Sequence, residues 1–96
     1  MFFKEMKKAL LIIDNVDALT ITKEDKDLIV AVIGKIVNVL EECKQLTPEM
    51  DFQYAVLKCS VWDDGYFCIV ARKTCAMLYP IVKQNAYIEE MMEASK

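Results

Sequence analysis

Residues 22–46 carry the strongest helical pattern in the chain and constrain its fold most. They read TKEDKDLIVAVIGKIVNVLEECKQL, in which Thr22 and Asp25 have the spacing of a helix capping box. One set of apolar residues recurs at steps of three and four, which marks one stripe of a helix: Ile29, Val32, Ile36, Val39 and Cys43. A second set widens the apolar arc: Leu28, Val30, Ile33, Val37 and Leu40. Because a helix that is apolar on nearly all sides is buried by several neighbours, we expect the other segments to pack around this one. Gly34 lowers the helix propensity at its middle, so we expect another helix to approach closely there.

Residues 2–18 are expected to form a helix before this central segment. Their apolar residues follow a heptad-like spacing: Phe2, Met6, Ala9, Ile13 and Val16. The charges oppose the helix dipole, because Lys4, Lys7 and Lys8 lie at the start while Asp14 and Asp17 lie at the end. A strand over Ala9–Ile13 is therefore kept as the alternative.

A third helix is predicted to begin at Pro48 and to end near Cys59. Thr47 is a suitable N-cap, and proline suits the first helical position. The side chains expected to face inward are Phe52, Ala55, Val56 and Cys59.

The remaining segment allows two interpretations. Ser60 to Asp63 resembles the capped start of a fourth helix running to Tyr79, which places one set of residues on the same side: Trp62, Tyr66, Ile69, Arg72 and Ala76. The alternative is a hairpin over about 52–74, with its turn at Asp63–Gly65. We prefer the helix. Pro80 can open a new helix or kink the old one, and residues 81–94 are helical in pattern, with four residues aligned: Ile81, Asn85, Ile88 and Met92.

These patterns predict an all-α fold, a small bundle of four to five short helices around a central buried helix. Only two glycines and two prolines occur in 96 residues, which fits helices joined by short turns. A chain of this length is expected to form a single domain over residues 1–96. The alternative is an α+β fold with the hairpin at about 52–74.

The charge distribution argues against nucleic-acid binding. The net charge is −3, and Arg72 is the single arginine, whereas phosphate tracking and base-edge readout depend on clustered Lys and Arg. A helix-turn-helix DNA binder is therefore only the third choice among the functions considered.

The residues required for common catalytic and metal sites are scarce. The chain has no histidine, which removes the usual general base and the commonest metal ligand. The cysteines, at Cys43, Cys59, Cys68 and Cys75, include no C-x-x-C pair of the kind zinc sites show. The sequence thus predicts no metal, no cofactor and no enzymatic activity.

The expected location is the cytoplasm. Four cysteines without a disulfide-type framework fit an intracellular protein with reduced thiols. The apolar run before Asp14 is short for a signal sequence, and no stretch approaches the ~20 apolar residues of a membrane-spanning helix. No membrane partner is expected.

The favoured function is a protein-interaction module, an accessory or inhibitory factor that binds another protein. Apolar residues make up 55% of a chain with much surface for its volume, so some are expected to be exposed or covered by a partner, and a homo-oligomer is the commonest solution. A monomer with an apolar-rich surface remains the alternative. The candidate partner-binding residues are Trp62, Tyr66, Tyr87, Met91 and Met92.

A second class of function is a small-molecule or nucleotide-binding helical oligomer without catalysis. Pockets in such assemblies form between helices or at subunit boundaries. The candidate anion-binding residues are Lys4, Lys7, Lys8, Arg72 and Lys73.

Overall fold

A computed structural model describes residues 2–59 and 61–95 of the chain. Within these residues there are four helices and no strands: α1 (Phe2–Asp14), α2 (Lys23–Glu42), α3 (Pro48–Leu57) and α4 (Asp64–Ala94). The predicted all-α bundle is confirmed. The two strand alternatives, at Ala9–Ile13 and at about 52–74, are not supported, because α1 covers the first segment and α3 and α4 cover most of the second.

The starts of α2 and α3 follow the predicted local chemistry. The Thr22 hydroxyl accepts the backbone N–H of Asp25, and the Asp25 carboxylate accepts the backbone N–H of Thr22, which completes the capping box. Thr47 caps α3 in the same way by accepting the N–H of Met50, and Pro48 occupies the first helical position. For α4 the predicted start at Ser60 lies outside the described residues, and the N-cap is Asp63, whose carboxylate accepts the N–H of Tyr66.

The fourth and fifth predicted helices form one continuous helix of 31 residues that passes through Pro80. Proline removes one helical hydrogen bond and costs about 3 kcal/mol in a helix interior. Pro80 and Ala76, whose carbonyl would have received that bond, are both exposed residues. Residues on both sides of Pro80 are buried in the bundle, among them Leu78 and Val82, and we infer that this packing holds the helix together.

The helix at the centre of the bundle is α4. Both α1 and α3 pack mainly on it, whereas α1 and α2 touch each other only slightly. Residues 22–46, which we expected at the centre, contribute α2, whose inner stripe is buried: Ile29, Ile33, Ile36, Val37 and Leu40. The outer part of its apolar arc is left exposed at Leu28. A single contiguous core cluster draws on all four helices.

The inward faces of α1 and α3 differ from the predicted ones. In α1 the buried residues are Phe3, Met6, Leu10 and Ile13, so Phe2 and Ala9 do not lie on the core stripe. Val16 follows the end of the helix and packs, half-buried, against the core. In α3 they are Met50, Gln53 and Leu57, and the predicted inward residue Phe52 is 70% exposed. Buried Gln53 is accommodated because its side-chain amide donates to the Thr74 hydroxyl (3.3 Å), which itself donates to the Val70 carbonyl (2.8 Å).

Tyr54 of α3 reaches the backbone of α2 at Gly34. A Cβ at this position would overlap the hydroxyl of Tyr54. The contact is made by the end of a side chain, so the expected close approach of another helix at Gly34 stays a prediction.

Candidate functional site

An open apolar groove lies between α1 and α2. Its volume is about 670 Å³, and it is lined by the second half of α1, the connecting segment and the first half of α2. The α1 side is contributed by Ala9, Ile12, Ile13 and Val16, and the α2 side by Leu28, Ile29 and Val32. Volumes of this size fall in the range of binding pockets. We call this feature the α1–α2 groove.

The groove exists because each of its helices has two apolar faces. In α1, Ala9 and Ile12 lie beside the core stripe and form a second face, and Val16 follows them in the connecting segment. In α2, Leu28 and Val32 form the corresponding second face. Ile12 is 72% exposed and Leu28 is 62% exposed, although both are large aliphatic side chains. The two helices therefore present apolar surface to solvent where a packed bundle would bury it.

One end of the groove is acidic. Asp17 and Asp25 line it together with Asn15 and Thr20. The Asp17 carboxylate accepts the backbone N–H of Leu19 (2.9 Å), and Asp25 belongs to the α2 capping box, so each acid is fixed in place by local backbone geometry. The polar groups at this end favour a cationic group over an anionic one.

The predicted partner-binding residues fall into two separate surfaces. Trp62 and Tyr66 stack at the start of α4 with ring centroids 4.5 Å apart, and the Trp62 indole N–H donates to the Val56 carbonyl (2.7 Å). Tyr87, Met91 and Met92 lie on the last turns of the same helix, about 32–39 Å from Tyr66 along its axis. Trp62 is half-buried and joins α3 to α4, whereas the other four side chains are exposed.

The residues near the end of α4 form a distinct exposed patch. Tyr87, Ile88, Met91 and Met92 are each about half to two-thirds exposed, and they belong to the same two turns of helix. We call these four residues the α4 terminal patch. Methionine side chains repack readily around different partners, which suits an adaptable binding surface.

The five predicted anion-binding residues do not gather into one site. Lys4 pairs with Glu90 near the end of α4 (3.7 Å), whereas Arg72 lies 18 residues earlier on that helix, about 27 Å away along its axis. The Arg72 guanidinium donates to the backbone carbonyls of Asp14 and Val16, where α1 ends. Lys8 and Lys73 are exposed, and Lys7 is half-buried. The arrangement gives Arg72 a structural role as a cap for α1.

The four cysteines are free thiols in two environments. Cys43 and Cys59 are exposed, whereas Cys68 and Cys75 are buried in α4. Burial raises the pKa of the Cys75 thiol to about 12, and the neighbouring Asp14 carboxylate adds to the effect. Burial also raises the pKa of Cys68. The two buried thiols therefore stay protonated and unreactive near neutral pH.

Among residues 2–59 and 61–95, no group of three Cys, Asp or Glu side chains is placed to hold a metal ion. In the same part of the chain, no helix combines the length and the apolar character needed to span a bilayer.

Sequence reasoning missed the α1–α2 groove as a site. Its signal was present in the wide apolar arc of α2 and in the spacing of Ala9, Ile12 and Val16, of which the predicted stripe included only Ala9 and Val16. Periodicity shows that a helix has two apolar faces, but it does not show which of them a neighbour covers.

Comparison with known proteins adds no relative. No family model matches the sequence, and neither the curated proteins nor the solved structures include a significant match.

Proposed function

We propose that this chain is a small cytoplasmic protein-interaction module, which self-associates and acts as an accessory or inhibitory factor by binding another protein. The observation that carries the proposal is the α1–α2 groove, with Ile12 and Leu28 largely exposed on its two rims. Contiguous exposed apolar surface marks interaction sites on water-soluble domains. A second copy of the chain is the simplest cover for it.

Binding of another protein is assigned to the α4 terminal patch. Tyr87, Ile88, Met91 and Met92 lie at the opposite end of α4 from its N-cap, outside the α1–α2 groove. Aromatic and methionine side chains are enriched in the buried centres of protein interfaces. Self-association and partner binding can then take place on separate surfaces of one molecule.

The proposed mechanism is occlusion. A helical surface that covers a site on another protein needs shape and apolar contact but no reacting group. The four free thiols support the cytoplasm as the location, because reducing compartments keep such cysteines unpaired.

The groove also supports the small-molecule alternative, in a modified form. Its volume is adequate for a ligand, but its charged lining residues are Asp17 and Asp25. These acids favour an apolar or cationic ligand over a nucleotide. The helix-turn-helix alternative gains no support, because Glu49 and Asp51 in the first turn of α3 would repel phosphates.

The proposed self-association is tested by native mass spectrometry and sedimentation equilibrium on the full chain over a range of concentrations. We expect a whole-number multiple of the 11.0 kDa chain mass that dissociates on dilution. A monomer at every concentration would contradict self-association. A mass excess that disappears on denaturation would indicate a carried small molecule and favour the alternative.

Partner binding needs its own experiment. The tagged protein and a Met91→Glu/Met92→Glu variant are used for affinity purification, with Lys83→Glu on the same helix as the matched control. We expect a protein that the wild type and the control retain and the double variant loses. Equal retention by all three would remove the α4 terminal patch from the proposal.

A further inference from the structure

The outer surface of α2 carries a regular strip that borders the α1–α2 groove. Glu24, Leu28, Ala31 and Lys35 are spaced at i, i+4, i+7 and i+11, so they lie on one side of the helix, and all four are exposed. Leu28 also lines the groove, beside Val32 one turn later. We call Glu24, Leu28, Ala31 and Lys35 the α2 strip.

Charge changes sign along the α2 strip. Glu24 lies at its first end, with Asp25 next to it on the same turn, and Lys35 lies at the other end, with Leu28 and Ala31 between them. Asp25 and Lys35 are equally distant from position 30, and so are Leu28 and Val32. If two copies of α2 lie antiparallel about a two-fold axis near position 30, each acidic end faces a lysine and each Leu28 faces Val32. The pattern is complementary to itself in that one orientation.

We propose that a second copy of this chain covers the α2 rim of the α1–α2 groove, docked through an isologous two-fold interface centred on the α2 strip. Lys35 of each copy pairs with the carboxylates of Glu24 and Asp25 of the other, and Leu28 of each copy packs against Val32 and the rim of the opposite groove. Ala31, close to the axis, lets the two helix backbones approach. This inference rests on the proposed function and assigns its self-association to one surface.

Three arguments favour a second copy over another occupant. The charged ends of the α2 strip, Glu24 and Lys35, are equally distant from its middle between positions 29 and 30, which an unrelated partner or a small ligand does not require. An isologous contact closes on itself, so it produces a defined dimer without open-ended growth. Lys35 is available for the interaction, because no ion pair within the described residues involves it.

The test is a charge-reversal cycle measured by sedimentation equilibrium. Lys35→Glu places an acid opposite Glu24 and Asp25 at both symmetry-related sites, and we expect it to raise the dimer dissociation constant at least about tenfold. Combining it with Glu24→Lys restores opposite charges across the axis, so the double variant is expected to recover most of the affinity. Asp25 is kept in every variant because it belongs to the capping box of α2. Raising the salt concentration should weaken the wild-type dimer and strengthen the Lys35→Glu dimer.

Apolar packing is tested with Leu28→Asp, against Ile88→Asp in the α4 terminal patch as the matched control. Both residues are exposed large aliphatics on helix surfaces, so both variants are expected to fold, which circular dichroism verifies. Leu28→Asp should abolish the dimer at concentrations where the control remains dimeric.

The outcomes separate this inference from the proposed function. A wild-type dimer that Lys35→Glu weakens and the double variant restores supports the interface. If Lys35→Glu and Leu28→Asp leave the oligomer intact while Ile88→Asp dissociates it, the α2 interface is overturned and self-association stands. A wild-type monomer overturns both self-association and its assignment to α2. A bound small molecule lost in Leu28→Asp overturns the second copy as occupant.

Discussion

The two sides of α1 differ in how far the rest of the molecule buries them. On the side facing α4, Leu10 is 1% exposed and the helix is held at both ends by α4 side chains. Glu89 accepts the backbone N–H of Phe3 at the start of α1, and Arg72 donates to the carbonyls of Asp14 and Val16 at its end. On the side facing α2, Ile12 is mostly exposed and the groove opens to solvent.

The comparison explains how α1 tolerates charges that oppose its dipole. Its lysines lie in the first half and Asp14 lies at its end, with Glu5 as the acid of the first turn. The side chains of α4 add a second acid at the start and an arginine at the end. A helix dipole is stabilised by nearby charges whether or not they belong to the same helix. The side of α1 that faces α4 is thus buried and capped by residues of the same chain. The side that faces α2 stays open to solvent, and a second copy would shield part of it at the interface that we propose.

The largest expected effect is a loss of stability when a side chain is truncated on the packed side of α1. Leu10→Ala should lower the free energy of unfolding by about 2–5 kcal/mol, because it leaves a cavity between α1 and α4. Ile12→Ala, two residues later and on the open side of the helix, should change the free energy of unfolding by less than about 0.5 kcal/mol. Urea unfolding at low protein concentration, followed by circular dichroism, measures both. Equal losses would mean that the groove side of α1 is packed as tightly as the other.

A smaller effect is expected from the contact that holds the end of α1. Arg72→Met should lower the free energy of unfolding by about 1 kcal/mol, because the last carbonyls of α1 lose their cationic partner. Hydrogen exchange should become faster in the last turn of α1. Lys73→Met, at the exposed neighbouring position, is the control and should stay within about 0.5 kcal/mol of the wild type. Unchanged exchange in the Arg72 variant would show that α1 does not depend on this cap.

The smallest expected effect concerns the thiol beside α1. Cys75 lies in the small cleft shared with Leu10 and Asp14, and its pKa is raised to about 12 from 9.0. In the unfolded chain the thiol ionises at the lower pH, so the unfolded state loses its proton first and stability falls as pH rises from 9 towards 12. Cys75→Ala should show a shallower decline over this range in urea unfolding. An identical decline would assign the pH dependence to other groups.

The difference in burial between the exposed and the buried cysteines can be measured directly with a thiol reagent. At pH 8 a thiol reagent should modify Cys43 and Cys59 quickly, and Cys68 and Cys75 only after denaturant is added. Rapid modification of all four in the native protein would show that the α1–α4 contact opens readily.

Features decided by neighbouring residues were predictable from the sequence. The capping box of Thr22 and Asp25 and the start of α3 at Pro48 depend on side chains reaching backbone groups within one turn. The inward stripe of α1 was misassigned because a spacing of three and four fits both the set with Phe2 and the set with Phe3. The set with Phe3 is the one that faces the core, because Leu10 and Ile13 are buried in the bundle.

Features decided by distant contacts were not predictable. The continuity of α4 through Pro80 depends on burial of Leu78 and Val82 in the bundle. The wide apolar arc of α2 was identified correctly, but its position at the centre of the fold was not. The arc was assumed to be covered by other segments of the same chain, whereas Leu28 remains exposed.

Trp62 gives the molecule a built-in spectroscopic reporter, because it is the single tryptophan of the chain. It stacks on Tyr66 and packs beside Lys26 and Val30, on the opposite side of α2 from Leu28. Its emission is therefore expected to respond when the junction of α3 and α4 opens, and to stay unchanged if two copies separate at the interface that we propose for the α2 strip. A dilution series that leaves the emission maximum in place while the mass halves would resolve dissociation from unfolding in one unlabelled sample.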